Sequence, residues 1–122
     1  MLRRRPAEIR YDKRLRERNF GNLELQNNAL YEDVWSQDEL SSNVQLNNVE
    51  TVSSVLNRVL PIIDQLNHAV SDHDILLVGH GDVLQILLAF HHGLNPKFHR
   101  TIAPLKNAEL RSLPPLDKQL SA

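Results

Sequence analysis

A histidine between two glycines has the clearest chemical potential in this sequence. His80 stands between Gly79 and Gly81, after the apolar run 75–78 and before the apolar stretch 83–92. Such glycines allow a sharp turn and a close approach of ligand to backbone. A helix amino terminus favours an anion such as phosphate, and a protonated imidazole would add a charge-assisted hydrogen bond. The pattern predicts a phosphate site at His80 and Gly81, with a helix-capping histidine as the alternative.

A second candidate is a carboxylate between two arginines. Glu17 lies between Arg16 and Arg18 in the segment RLRERNFG. Beside a bound phosphate dianion, a partly buried glutamate can be held protonated and act as a general acid. The alternative is a solvated run of charges on the protein surface.

The serine hydrolase class is excluded by the residue in the middle of the glycine turn. The nucleophile elbow of α/β-hydrolases needs a serine at the centre of Gly-x-Ser-x-Gly. In the string LVGHGDV the corresponding residue is Gly81, which has no side chain. A serine nucleophile is therefore not expected at this turn.

The elements around His80 predict an α/β fold. Apolar residues recur at steps of three and four from about 48 to 70, which is typical of an amphipathic helix. Pro61 falls inside this pattern and should kink or divide the helix. The run 75–78 predicts a strand buried on both faces, and 83–92 predicts a buried helix. This order indicates a parallel sheet, and ligands bind beyond the carboxy ends of such strands.

Three shorter elements complete the prediction. Residues 8–12 and 108–113 have the alternation of short strands, and 29–35 is expected to form one or two helical turns. An Asn47–Glu50 pair resembles a capping box for the long helix.

Four ordered segments resemble the histidine phosphatase superfamily of phosphoglycerate-mutase-like proteins: RLRERNFGNLE, YEDVW, ILLVGHGDVLQ and NAELRSL, within residues 10–113. The resemblance implies a three-layer α/β/α domain with a mostly parallel sheet. It also implies phosphomonoester hydrolysis or phosphoryl transfer through a phosphohistidine, with no metal and no other cofactor. By this resemblance Glu17 is the proton donor, His80 stabilises the transferring phosphoryl group, and Arg18 lies close to the substrate.

The family's first signature does not occur in these 122 residues. That signature is Arg-His-Gly on the first strand, and its histidine is the nucleophile. Here the first histidine is His68, well after Glu17. The resemblance therefore implies that 1–113 is a truncated, catalytically incomplete histidine phosphatase domain, followed by a Pro-rich tail at 114–122.

Three further positions depart from the family's pattern. Leu25 and Asn48 stand where the family often has glycine, and Asp82 occupies a site where mutases tend to carry asparagine. Such drift is expected where a loop no longer serves catalysis.

The remaining histidines predict no metal site. His91 and His92 are adjacent on a predicted helix and point about 100° apart, so they cannot chelate one ion together. The others lie in polar contexts and are expected at the surface: His68, His73 and His99.

Composition narrows the class of protein. Apolar residues make up 41% and charged residues 24%, which is ordinary for a soluble domain. The absence of cysteine excludes disulfides, zinc thiolate sites and thiol catalysis, and it fits a cytoplasmic protein. No apolar run approaches the ~20 residues of a membrane span, so no membrane association is expected.

The first eighteen residues form a basic arm, with eight basic and three acidic side chains. A basic arm can bind nucleic acid. Interleaved acids and the lack of stacking aromatic residues argue against that partner.

Three functional classes therefore stay open at this point. The first is a phosphatase or mutase whose sequence begins further upstream. The second is a non-catalytic remnant that binds a phosphorylated small molecule or a partner protein. The third is a basic-arm nucleic-acid binder. Exposed apolar faces of 75–78 and 83–90 would in addition favour a homodimer.

Overall fold

Three helices carry the described part of the chain. The computed structural model describes residues 9–26, 29–41, 43, 45–69 and 74–115. The helices are α1 (Ala29–Leu40), α2 (Val52–Ala69) and α3 (Gly81–His91). Short 3₁₀ turns lie at Lys13–Leu15, Gly21–Leu23 and Pro96–Thr101.

The long amphipathic helix predicted near 48–70 is confirmed as α2, with a later start. Its first turn is capped by Thr51, whose hydroxyl accepts the Ser54 N–H at 3.0 Å. Asn47 cannot cap it, because Asn47 has a left-handed backbone (φ 54°) and lies outside the helix. Pro61 stands inside α2 on the exposed side and does not divide it.

The main core forms where α2 packs against α3. The buried side chains on α2 recur every three or four residues, as one face of a helix requires, and meet an apolar face of α3. The cluster consists of Val52, Val55, Val59, Ile63, Val83, Ile86 and Leu87. The apolar side chains between 83 and 89 are therefore covered, contrary to the expectation that they are exposed.

A second, smaller core lies under α1. Phe20, Val34 and Val49 are buried together, with Leu23 and Tyr31 packed at the edge. Helix α1 is longer than the one or two turns predicted, and it also packs against the Pro96–Thr101 turn. That turn in addition packs along α3. Polar contacts between these elements define the candidate site.

The predicted α/β class with a parallel sheet is wrong for this structure. Among the described ranges there is no β-strand, and the regular elements are all helical. Residues 9–12 and 108–113, both predicted as strands, have irregular backbone. A strand is stabilised by hydrogen bonds to its neighbour, so an apolar alternation without a paired segment does not produce one.

The run 75–78 shows this most clearly. Its backbone has no regular secondary structure, and no ladder hydrogen bond joins it to any other described segment. Leu77 packs against the main core, whereas Leu76 and Val78 are 67% and 75% exposed. The prediction of a strand buried on both faces is therefore wrong, although the backbone direction into α3 is as expected.

No helix among the described residues has both the length and the apolar character that a bilayer crossing requires.

Candidate functional site

Glu17 and the beginning of α3 meet in the structure, although 65 residues separate them along the chain. One carboxylate oxygen of Glu17 accepts the Arg18 N–H at 2.9 Å and the Val83 N–H at 3.3 Å. The other oxygen accepts the Asp82 N–H at 3.4 Å. A helix amino terminus offers free N–H groups to an anion, and here the chain's own carboxylate takes them.

His80 lies immediately before α3, at the position predicted for it. Its backbone is extended (φ −119°, ψ 161°), and its carbonyl accepts the Leu84 N–H at 2.9 Å. His80 is the N-cap residue of α3, but its imidazole makes no capping hydrogen bond, so it caps the helix through its backbone alone. His80 is exposed, and the side chain is therefore accessible to a ligand approaching the Glu17 carboxylate.

Gly81, the first residue of α3, faces open space. A β-carbon added there would meet no atom within 4 Å. Packing within the described chain therefore does not require a glycine at this position. The space beside Gly81 is free for a ligand. The role predicted for Gly81 in ligand approach therefore stays a prediction.

Arg18 is one of the most deeply buried charged residues, with 2% exposure. Its two terminal nitrogens each lie 2.7 Å from an oxygen of Asp38, a bidentate ion pair between the Glu17 segment and α1. Nε donates to the Glu50 carbonyl at 2.7 Å, and Nη1 also lies 3.1 Å from Asp82. A planar guanidinium fork suits this arrangement, because a lysine could not bind both carboxylate oxygens in the same way.

Asp82 links the network to the Pro96–Thr101 turn. One of its oxygens faces Arg18, and the other lies 2.8 Å from Nε2 of His99. His99 has no exposed surface, and its Nδ1 lies 3.0 Å from the Pro96 carbonyl. His99 was predicted at the surface from its polar neighbours in sequence, and that prediction is wrong because the turn folds the ring inward against α3.

For the charged groups of this network, hydrogen bonds and opposite charges shift the pKa values more than burial does. Burial alone would raise the pKa of Asp82, but the hydrogen bond from His99 and the charges of His99 and Arg18 hold it below its ordinary value. Burial would likewise lower the pKa of Arg18, yet the hydrogen bonds and charges of Asp38 and Asp82 raise it. Both groups are therefore held charged inside the protein.

Arg100 covers the network on its outer side. Its guanidinium lies 3.7 Å from the centre of the Trp35 ring, donates to the side chain of Gln85, and approaches Asp82 at 3.4 Å. The Gln85 amide in turn donates to the Ile102 carbonyl at 2.8 Å. These contacts attach the Pro96–Thr101 turn to α1 and α3 together.

Arg58 on α2 fixes the backbone that carries Glu17. It donates to the carbonyls of Arg14, Arg16 and Glu17, and it pairs with Glu50 at 2.8 Å. Burial would raise the pKa of Glu50, but the Arg58 hydrogen bond brings it below the ordinary value. Sequence reasoning missed Arg58, Asp38 and the burial of His99, because contacts this distant leave no local pattern.

The loop after Glu17 retains the backbone shape of a glycine-rich turn. Gly21 has φ 54°, and a β-carbon there would collide with the backbone of Asn47 and Asn48. Leu25 (φ 63°) and Asn48 (φ 57°), which stand at positions where the resembled family often has glycine, are also left-handed. Leucine in this conformation carries strain that glycine would not.

The other histidines are divided between surface and core. His68 and His92 are exposed, as the former was predicted to be, while His73 lies outside the described residues. His91 is buried, and its Nδ1 lies 2.8 Å from the Pro114 carbonyl.

The basic arm is only partly described, since residues 1–8, including Arg3, Arg4 and Arg5, lie outside. Arg14 pairs with Asp12 at 2.7 Å, and hydrogen bonds from Arg14 hold the pKa of that exposed carboxyl at about 2. Arg18 is engaged internally, as described above. In the described part of the arm, Arg14 and Arg18 are thus directed to acids of the same chain.

Comparison with known proteins gives one match. The family model described as "Histidine phosphatase superfamily (branch 1)" matches residues 1–121, nearly the whole chain. No curated protein and no solved structure matches it.

Proposed function

The chain belongs to the histidine phosphatase superfamily, a class with phosphatase or mutase-like function, and we propose that it binds phosphomonoesters at the amino end of α3. Glu17, His80 and Gly81 form the site in this proposal. Within its 122 residues the chain binds such a ligand without transferring the phosphoryl group.

The observation that carries the proposal is the contact between Glu17 and the first turn of α3. Its carboxylate lies 3.4 Å from the Asp82 N–H, two residues beyond His80. A proton donor and a phosphate-stabilising imidazole must reach the same phosphomonoester, so their positions in the fold have to converge. In this chain Glu17 contacts the first turn of α3, which directly follows His80, although 65 residues separate Glu17 from Asp82.

Each residue then has a distinct chemical role. The Gly81 N–H, which Glu17 does not occupy, and the imidazole of His80 stabilise the phosphate oxygens. In a complete site, the bond from phosphorus to the leaving oxygen breaks, Glu17 gives its proton to that oxygen, and the phosphoryl group passes to an imidazole nucleophile. Arg-His-Gly does not occur in this sequence, and no histidine here is assigned the nucleophile's role.

Arg18 was predicted to contact substrate, and that role stays a prediction. Its three nitrogens already face Asp38, Asp82 and the Glu50 carbonyl. Direct contact with phosphate would require a carboxylate partner to be exchanged for a phosphate oxygen. We assign Arg18 instead to holding the Glu17 segment against α1 and α3.

Three alternatives make different predictions. An enzyme whose nucleophile lies outside these 122 residues would use the same Glu17–His80 site. A partner-binding remnant would use a surface rather than this site. A nucleic-acid binder would show a steep dependence of affinity on salt, with a slope set by the number of phosphates contacted.

The test uses the purified chain, its His80→Ala variant and a generic phosphomonoester such as p-nitrophenyl phosphate. We expect no turnover above background and no phosphohistidine, because removal of a covalent nucleophile typically costs several orders of magnitude in rate. Inorganic phosphate should nevertheless bind to the wild-type chain, and His80→Ala should abolish this binding.

Two outcomes would overturn the proposal. Turnover by the chain that disappears in His80→Ala would make His80 itself the nucleophile. Phosphate binding that is the same in both proteins, or absent from the wild type, would mean that α3 and His80 do not form the site.

A further inference from the structure

A groove opens beside Glu17. It is shallow and open to solvent, with a volume of about 450 Å³. Its lining residues come from the Glu17 segment and α1: Arg16, Glu17, Arg18, Asn19, Phe20, Glu24 and Tyr31. Glu17 is thus shared between the beginning of α3 and the groove.

The position of Glu17 determines what this groove can receive. A general acid protonates the oxygen of the leaving group, so the organic group attached to that oxygen must extend from the acid. The phosphate oxygens point to α3 and His80 in the proposed function, on which this inference rests. The organic part then lies in the groove lined by Glu17.

The far wall of the groove is aromatic and firmly held. The rings of Phe20 and Tyr31 are stacked, with centroids 4.2 Å apart and planes 13° from parallel. Trp35 packs edge-on against Tyr31 at 6.3 Å. Phe20 is buried with Val34 and Val49 in the smaller core, which leaves the half-buried Tyr31 as the ring available to a ligand.

Charges of both signs line the groove, because Arg16 and Arg18 belong to its lining together with Glu17 and Glu24. The carboxylates of Glu17 and Glu24 both line it, and Glu24 is fixed because its carboxylate accepts the Phe20 N–H at 2.8 Å. A leaving group with its own carboxylate would therefore gain no net electrostatic preference there. An uncharged aromatic ring would instead gain contact with Tyr31 and, through a cation–π interaction, with the exposed Arg16.

We propose that this groove binds the leaving group of the phosphomonoester and selects an uncharged aromatic ring, with Tyr31 as the specificity-determining residue. The ligand class is therefore the aryl phosphomonoester.

The test compares two non-hydrolysable phosphonates with the full chain, phenylphosphonate and methylphosphonate. Phenylphosphonate should bind about two- to tenfold more tightly, the range that one aromatic contact supplies. Its addition should also shift the ring resonances of Tyr31. Tyr31→Ala should remove the preference while the affinity for methylphosphonate is unchanged, and Tyr11→Ala, at an exposed tyrosine outside the groove, should preserve it.

The outcomes separate this inference from the proposed function. If methylphosphonate binds and phenylphosphonate binds no better, with the Tyr31 resonances unmoved, the aromatic groove is wrong and the phosphate site stands. If neither phosphonate binds, both are wrong. Should Tyr31→Ala fail to fold, Tyr31→Phe and the ring resonances of the wild-type chain decide, because Phe retains the ring and should retain the preference.

Discussion

Two regions of this molecule reverse the usual placement of charged and apolar side chains. The first, the ionic cluster, consists of Arg18, Asp38, Asp82 and His99, none more than 5% exposed. The second, the apolar run 75–78, has Leu76 and Val78 largely in solvent. The charged groups are inside because each has a partner within hydrogen-bond distance. The apolar side chains are outside because no other segment among the described residues covers them.

The difference between the two regions is one of partners rather than of residue type. Four separate stretches of chain, carrying Arg18, Asp38, Asp82 and His99, supply the ionic cluster, so each charge is compensated across the fold. The apolar run has only Leu77 packed against the core. The ionic cluster therefore fixes the position of Glu17 beside α3, while the apolar run remains a surface available for association.

The largest effect is expected from breaking the ionic cluster. Asp38→Ala leaves the buried guanidinium of Arg18 without its bidentate partner, a change that typically costs about 3–5 kcal/mol of unfolding free energy. Glu39→Ala, at the next residue of α1 and exposed, should cost less than about 0.5 kcal/mol. Urea unfolding of the two variants measures both losses of unfolding free energy. Equal losses would mean that the cluster contributes no net stability.

A smaller effect is expected from acid, through Asp82. Its pKa is lower folded than unfolded, so its stabilising contribution is present above about pH 4 and is lost as pH falls through the lowered value. Asp82→Asn should be less stable than wild type at pH 5 but lose less stability between pH 5 and pH 3. Parallel acid profiles for the two proteins would contradict this.

The same acid-profile experiment at Asp12 tests a carboxylate near the surface. Its pKa is about 2, set by hydrogen bonds from Arg14, but the pair lies at the surface. Salt screens such pairs, so Asp12→Asn should alter the acid profile only weakly, and less at high salt.

The apolar run should produce self-association. Val78→Lys places a charge in the exposed run and should weaken a homodimer by about tenfold or more, without changing the unfolding free energy. Leu110→Lys is a matched control, because Leu110 is also 75% exposed but lies outside the run. Sedimentation equilibrium measures both. A wild-type chain that stays monomeric at all concentrations would show that the apolar run does not cause self-association.

Sequence periodicity predicted the helices well and the sheet wrongly, and the physical reason is the range of the interactions. Helices α2 and α3 are stabilised by bonds between residues four apart, so the pattern of apolar residues is sufficient to find them. A strand depends on a partner that can be anywhere in the chain, and 75–78 has none among the described residues.

The site was predictable only in part for the same reason. Resemblance to the family identified Glu17, His80 and Arg18, and the structure brings the first two to the amino end of α3. Nothing near His99 in the sequence indicates burial, because its partner Asp82 is seventeen residues away. Asp38 was likewise missed, since an acidic residue in a polar helix is normally exposed.

A still smaller effect is expected at Glu17, where the ionic cluster and the apolar run meet. Its carboxylate occupies the amino end of α3. Glu17→Gln removes a negative charge from the N–H groups of Asp82 and Val83 while preserving size. Phosphate should then bind about three- to tenfold more tightly, since roughly 1 kcal/mol of repulsion is removed. Glu32→Gln, at an exposed glutamate of α1 outside the groove, is the control. Calorimetric titration showing weaker binding to Glu17→Gln would indicate that Glu17 recruits phosphate by donating its proton.

The most direct measurement is a phosphate titration followed through the backbone amide resonances of the full chain. The account predicts saturable shifts of Gly81, Asp82 and Val83 in the wild type, with shifts elsewhere small, and no saturable shifts in His80→Ala. Saturable shifts confined to other residues, or equal shifts in the two proteins, would contradict the assignment of the phosphate site to His80 and the amino end of α3.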